Sequence, residues 1–265
     1  MKRKIAWVFV ASLVFSGASH ILAQEPAPYL KIIREDIKSG KAAAHEKSEM
    51  AFVRAFSKSK YPNYVAWEAM TGPSQAWFLE RYDSYAAIED AARISNSEPL
   101  NTTLGQLDEV DGALRTGERN MIARYQKDLS YTPVPANLAK YRYANVFTWR
   151  IRPGHTAEFA EMRKSLSDAW EKNGYKQRRA VYSVVSGAPL GTYLVIHGMQ
   201  SLKSLDESTP ALGSVGERYT KLYQDIVIST ETTMFVVNPK MSNPPKEYIT
   251  ADPDFWGPKP KPAAK

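Results

Sequence analysis

YANVFTWRI (Tyr143–Ile151), RPG (Arg152–Gly154) and HTAEFAEMRKSLSDAWEKNG (His155–Gly174) read as a strand, a tight corner and a helix. QRRAVYSVVSGAPLGTYLVIHGM (Gln177–Met199) follows as a hairpin, and QSLKSLDE (Gln200–Glu207) as the start of another helix. Within the first helix Phe159, Met162, Leu166, Ala169 and Trp170 recur at helical spacing, so one stripe must pack on a sheet.

The same order occurs once upstream. YLKIIREDI (Tyr29–Ile37) is a strand, Lys38-Ser39-Gly40 a corner and KAAAHEKSEMAFVRAFSKSK (Lys41–Lys60) a helix whose stripe is His45, Phe52, Ala55 and Phe56. NYVAWEAM and QAWFLERY form a hairpin around Gly72 and Pro73. Helical sequence from Ser84 to about Ala92 is interrupted by NSEPLNTTLG and resumes in QLDEVDGALRTG, before a strand NMIARYQ and a linker TPVPANLAK. Aligned, Gly40 falls on Gly154, Gly72 on Gly187, Met121 on Met234, and Leu129-Ser130 on Met241-Ser242. Four anchors of different type in one order point to an internal duplication. The expected fold is α+β, with two tandem ferredoxin-like βαββαβ units, residues 24–132 and 141–243, joined by a linker at 133–140. Residues 244–265 are a proline-rich C-terminal tail, in which Tyr248–Trp256 is expected extended against the body and Gly257–Lys265 disordered.

A hydrophobic content of 43% suffices for a substantial core, and the absence of cysteine excludes disulfides, thiolate metal sites and cysteine nucleophiles. The net charge is +7, but Lys2, Arg3 and Lys4 at one end and Lys259, Lys261 and Lys265 at the other supply six of those charges. The body is nearly neutral, which argues against a nucleic-acid partner. MKRK, IAWVFVASLVF and SGASHILA have the basic, apolar and small-residue parts of a signal peptide over residues 1–23, with cleavage expected after Ala23. The apolar run Ile5–Phe15 is short for a bilayer span, so an exported protein, periplasmic or extracellular, without a membrane span after cleavage is expected.

Strand alternation separates two faces. Leu194 and Ile196 share one, which their aliphatic character assigns to the helices. Tyr193, Val195, His197 and Met199 share the other, together with Asn145, Phe147 and Trp149 on the neighbouring strand. Lys31, Ile33 and Glu35, and Phe78, Glu80 and Tyr82, hold the corresponding positions in the first half. Such a face needs a second sheet against it, and the second copy lies in the same chain.

The corner-and-helix RIRPGHTAEFAEM, the hairpin after it and the duplication resemble the dimeric α/β-barrel superfamily, including its NIPSNAP and antibiotic-biosynthesis-monooxygenase groups, over residues 29–240. The first half departs from the pattern by Ser39 in place of the corner proline. The resemblance implies two fused units whose sheets close into one pseudo-symmetric barrel, a pseudo-dimer within one chain with its oligomeric state left open. The superfamily ranges from cofactor-independent oxygenases through haem enzymes to members of no known activity.

The chain has no phosphate-binding glycine loop and no nucleophile elbow. His45, His155, His197 and the carboxylates are not read as a metal-binding spacing, and no metal is expected. His45 is read as a packing residue, His155 as an exposed group at a helix start, and His197 as a hydrogen-bonded core histidine, a proton shuttle or a haem ligand. Glu35 and Glu80 are read as neighbours that either act as acid and base or pair with Lys31, Arg34 or Arg81. Trp149, Phe147, Tyr193, His197, Tyr182, Glu35, Glu80 and Tyr82 are the expected ligand-binding residues, with Trp67 beside them; His197, Asn145 and Trp149 are the catalytic candidates. The leading reading is an exported protein binding a small apolar or aromatic molecule in the lumen. The alternatives are a monooxygenase-like enzyme, cofactor-independent or with haem as the lesser option, and a structural protein with a filled barrel. No cofactor is expected.

Overall fold

A computed structural model describes residues 25–206 and 214–257. The expected signal peptide, residues 1–23, and the tail beyond Gly257, expected disordered, lie outside these described residues. The first half runs β1 (Tyr29–Ile37), α1 (Ala42–Phe56), β2 (Tyr64–Ala69), β3 (Gln75–Tyr82), α2 (Tyr85–Ser95), α3 (Leu100–Gly112) and β4 (Arg115–Tyr125). The second runs β5 (Tyr143–Ile151), α4 (Thr156–Lys172), β6 (Ala180–Ser186), β7 (Thr192–Met199), α5 (Ser214–Ile226) and β8 (Val227–Asn243), followed by α6 (Lys246–Ala251) and α7 (Pro253–Trp256). Two expectations change. Leu202–Leu205 is a short 3-10 turn rather than the start of a helix, and Tyr248–Trp256 is largely helical rather than extended.

All eight strands close into one antiparallel barrel in the order β1-β3-β2-β8-β5-β7-β6-β4. Long ladders join β1 to β3 and β4, and β5 to β7 and β8. Closure depends on two shorter seams, β2 with β8 and β4 with β6, each interrupted by a register shift. A serine stitches each seam. Ser130 accepts from the Val181 amide at 2.9 Å and donates to the Gln126 carbonyl at 2.7 Å; Ser242 accepts from the Ala66 amide at 2.9 Å and donates to the Asn238 carbonyl at 2.7 Å. Ala66 stands where the β2–β8 ladder slips, and Val181 one residue past the end of the β4–β6 ladder; in each place an amide has no strand partner, and a hydroxyl is the smallest group that replaces it.

The glycine corners also match: Gly40 and Gly154 turn strand into helix with φ of 72° and 87°, a conformation in which a Cβ is strained. The methionine anchor is out by one residue. Met121 pairs with Ile32, whereas Met234 pairs with Asn145 and Thr233 with Val146, so Met121 and Met234 face opposite ways.

The lumen core comprises Leu30, Ile32, Trp77, Leu79, Met121, Val146, Tyr182, Leu194 and Phe235, drawn from both halves. Helices cover the outside. Phe159 and Met162 of α4 meet Trp149, Ile151, Tyr193 and Val195, and partly buried Val53 and Phe56 of α1 meet Tyr64, Phe78 and Met241.

Candidate functional site

Small barrels exclude water from every side of their interior, so the inward face must be the uniformly apolar one. Helix-covered faces reach solvent at the helix margins and can hold polar groups. The alternation identified the two faces, but assigned them the wrong way round. Leu194 and Ile196 line the lumen, while Phe147, Trp149, Tyr193 and Val195 pack beneath the helices. Asn145 and His197, opposite each other in the β5–β7 ladder, share that outer face by alternation. Glu35, Glu80 and Tyr82 likewise lie outside the barrel wall, whose lumen side in β1 and β3 is Leu30, Ile32, Trp77 and Leu79. Of the eight expected ligand residues, Tyr182 alone lines the lumen cavity, joined there by Trp67.

One end of the lumen is filled by Trp77, whose ring centroid lies 4.9 Å from that of Phe235. The other end holds a cavity of about 140 Å³. Its walls include Leu30, Trp67, Leu79, Tyr182, Ile196 and Val237, with Tyr141, Tyr143, Arg81 and Arg178 among the polar groups. Burial pushes the Tyr182 phenol well above its usual range. Tyr141 lies so close to Gly198 that a Cβ there would come within 2.3 Å of the ring; glycine is what lets this tyrosine form the wall.

The linker and the C-terminal helices cap this end. The Trp256 indole donates to the Ala139 carbonyl at 2.7 Å, and the Arg142 guanidinium lies 3.7 Å from the Phe255 ring centre. Asp252 pairs with Arg142, and with Lys140 at 3.2 Å. Burial alone would raise the Asp252 carboxyl, but the hydrogen bonds from Lys140 and Arg142 outweigh it and hold it below its ordinary value. Arg81 reaches from the cavity to this segment, donating to the Glu25 carbonyl at 2.8 Å and to the Tyr248 hydroxyl at 3.4 Å.

The other candidates separate. Trp149 packs edge-on or tilted among Phe159, Tyr219 and Tyr223 under α4 and α5. His197 is opposite Asn145 while Trp149 is opposite Tyr193, so this histidine and this tryptophan are four residues apart along the sheet. Burial, and secondarily the charge of Arg179, push the His197 imidazole down to about 3. His155 precedes α4 and is half-buried rather than exposed, 3.2 Å from Glu158. Glu35 and Glu80 do not meet, because Glu80 pairs with Lys31 in the ladder and Glu35 with Ala76. Glu80 accepts from Tyr61 and Tyr82, each at 2.6 Å, and from Lys31 at 3.2 Å, which makes it a satisfied structural carboxylate.

Glu35 belongs instead to a buried group with His45 and Glu49 of α1 and Asp111 of α3. This is the constellation that sequence reasoning missed. A signal was present, since His45 and Glu49 stand at i, i+4 on one helix face, but Glu35 and Asp111 join them only through the packing of α1 and α3 on the sheet.

No protein-family model matches the sequence, and no curated protein matches it. Solved structures do. An anthrone oxidase-like protein aligns at 9% identity with a TM-score of 0.57, covering 82% of this chain and 93% of that one. A "putative monooxygenase" from Fusobacterium nucleatum subsp. nucleatum aligns at 12% identity and 0.53, covering 81% and 94%. Another so described, from Lactobacillus acidophilus NCFM, aligns at 9% and 0.51, covering 80% and 94%. At these identities the likeness is one of fold alone.

Proposed function

We propose that this chain is an exported binding protein that holds a small, flat, largely apolar molecule bearing an anionic or phenolic oxygen in the cavity at the capped end of its barrel. The observation that carries the reading is the aromatic and aliphatic lining of that cavity, with the guanidiniums of Arg81 and Arg178 among its few polar groups. Such a lining takes a ring system out of water, while a guanidinium orients its one charged atom. The two halves are tandem ferredoxin-like units. Their matched element order, glycine corners and seam serines support a duplication.

Organic extraction of the exported chain, followed by mass spectrometry, is the test. A single small aromatic species is expected from the wild type and none from Leu30→Trp, which fills the cavity, with unchanged far-ultraviolet circular dichroism. An empty wild-type extract overturns the reading. Export is checked on the same sample, whose N-terminal sequence should begin QEPAP; a form still carrying Met1 would contradict it.

Oxygenation of the bound molecule is the second reading, favoured by the names of the similar structures. Here the arginines would stabilise the phenolate or enolate form that reacts with dioxygen. His197, Asn145 and Trp149 take no part in it, standing behind the barrel wall. The described residues lining the lumen cavity include no histidine, so a haem there would have to be held by a tyrosine such as Tyr141, Tyr143 or Tyr182. Dioxygen uptake when the extracted molecule is returned to the protein would establish this reading, and its absence leaves binding alone.

A further inference from the structure

We infer that Glu35, His45, Glu49 and Asp111 form a site for one divalent first-row transition cation of the Zn²⁺ or Mn²⁺ class, enclosed between α1, α3 and the first sheet. The His45 Nε2 atom lies 2.6 Å from Glu35 Oε2, 3.9 Å from Glu49 Oε1 and 3.8 Å from Asp111 Oδ2. All four ligand atoms lie within 4.8 Å of one another. A tetrahedral centre with bonds near 2.0–2.1 Å separates its ligands by about 3.3–3.5 Å, so small side-chain adjustments complete it.

All four residues are more than nine-tenths buried, Asp111 at 0% exposure. Three carboxylates in this position face a single guanidinium, that of Arg115, which is also shared with the outer carboxylates Asp108 and Glu118. Arg115 holds the far oxygen of Glu35, Oε1, at 2.7 Å and leaves Oε2 turned to His45. Buried negative charge of this excess is costly unless a cation or a proton offsets it.

Two further observations point to a ligand. Both oxygens of Asp111 lack a hydrogen-bond partner, although Arg115 Nε stands 3.1 Å from one of them. The buried Tyr64 hydroxyl lacks a partner too, and lies close enough to Glu49 to feel its charge. A cavity of about 140 Å³ lined by Glu35, Glu49, Tyr64 and Glu118 gives access to the group. An imidazole among carboxylates selects a borderline transition cation over the all-oxygen preference of Ca²⁺ or Mg²⁺.

The test uses the full chain without a histidine tag, stripped with chelator and titrated calorimetrically with Zn²⁺, Mn²⁺ and Ca²⁺. One equivalent of Zn²⁺ or Mn²⁺ should bind more tightly than Ca²⁺ and raise the melting temperature. His45→Gln and Glu49→Gln should each weaken binding about tenfold or more, while Asp108→Asn, outside the four, should not. If His45→Gln fails to fold by circular dichroism, Glu49→Gln decides. No stoichiometric binding, binding undiminished in the variants, or a preference for Ca²⁺ would each overturn the proposal.

Discussion

Glu49 and His197 are both buried titratable groups, and they shift stability in opposite directions with pH. The Glu49 carboxyl sits above its ordinary value, since burial and the charges of Glu35 and Asp111 and Glu118 outweigh the pull of Arg115. Between the unfolded and folded values the native state binds more protons, so without a cation its stability falls as pH rises through that window. Glu49→Gln should therefore melt higher than the stripped wild type at pH 7–8 and lose that advantage toward pH 4. Thermal melts across pH check this, and added Zn²⁺ should reverse the ranking. His197 is displaced downward, to about 3, so here the unfolded state binds the proton first. Its contribution is complete above the ordinary histidine range and is lost as pH falls from about 6.5 toward 3, at about 1.4 kcal/mol per pH unit at the steepest. The imidazole nitrogen resonances of His197 should stay those of a neutral ring from pH 5 to 8; a midpoint near 6.5 would show that the wall around it is open.

The elements that close the barrel are held by few groups. Ser242 satisfies the Ala66 amide where the β2–β8 ladder slips, and Ser130 the Val181 amide just past the end of the β4–β6 ladder. Replacing either by alanine leaves that amide buried without a partner, at a cost of about 1–3 kcal/mol in denaturant melts. Because the two devices sit at opposite seams, the double variant should be close to additive. The C-terminal helices depend on Asp252 in a similar way. Asp252→Asn removes the charge that holds Lys140 and Arg142, and amide exchange over residues 246–256 should quicken while the strands keep their protection. Unchanged exchange there would mean that Trp256 and Tyr248 hold the cap by packing alone.

At the scale of the whole molecule, the core belongs to neither half. Leu30, Ile32, Trp77 and Leu79 meet Val146, Leu194 and Phe235 across the lumen. A fragment of residues 29–132 or 141–243 would expose that apolar face and two unpaired strand edges. Light scattering should find each fragment dimeric or aggregated, and mixing the two should restore a soluble barrel. A monomeric, cooperatively melting half would show that closure contributes little to stability.

The sequence by itself determined much of the local structure. Tyr29–Ile37, Gln75–Tyr82 and Tyr143–Ile151 are strands at the residues read from their alternation, and Phe159, Met162, Leu166 and Trp170 are the buried stripe of α4. Periods of two and 3.6 are properties of a short stretch and are legible there. Alternation also sorted each strand into two faces, but it carries no information on which face closes inward. That depends on the barrel being sealed from water on all sides, so Leu194 and Ile196 lie inside while Tyr193, Val195 and, by alternation, His197 lie under the helices. The cluster of Glu35, His45, Glu49 and Asp111 was beyond sequence reasoning for a related reason. Only its His45–Glu49 pair is local, and the packing of α3 and α1 on β1 brings in the rest. Nor could the chain reveal that one end of the lumen is filled by Trp77 and Phe235 while the other keeps a cavity beneath Trp256, because side chains from distant strands fill that volume together.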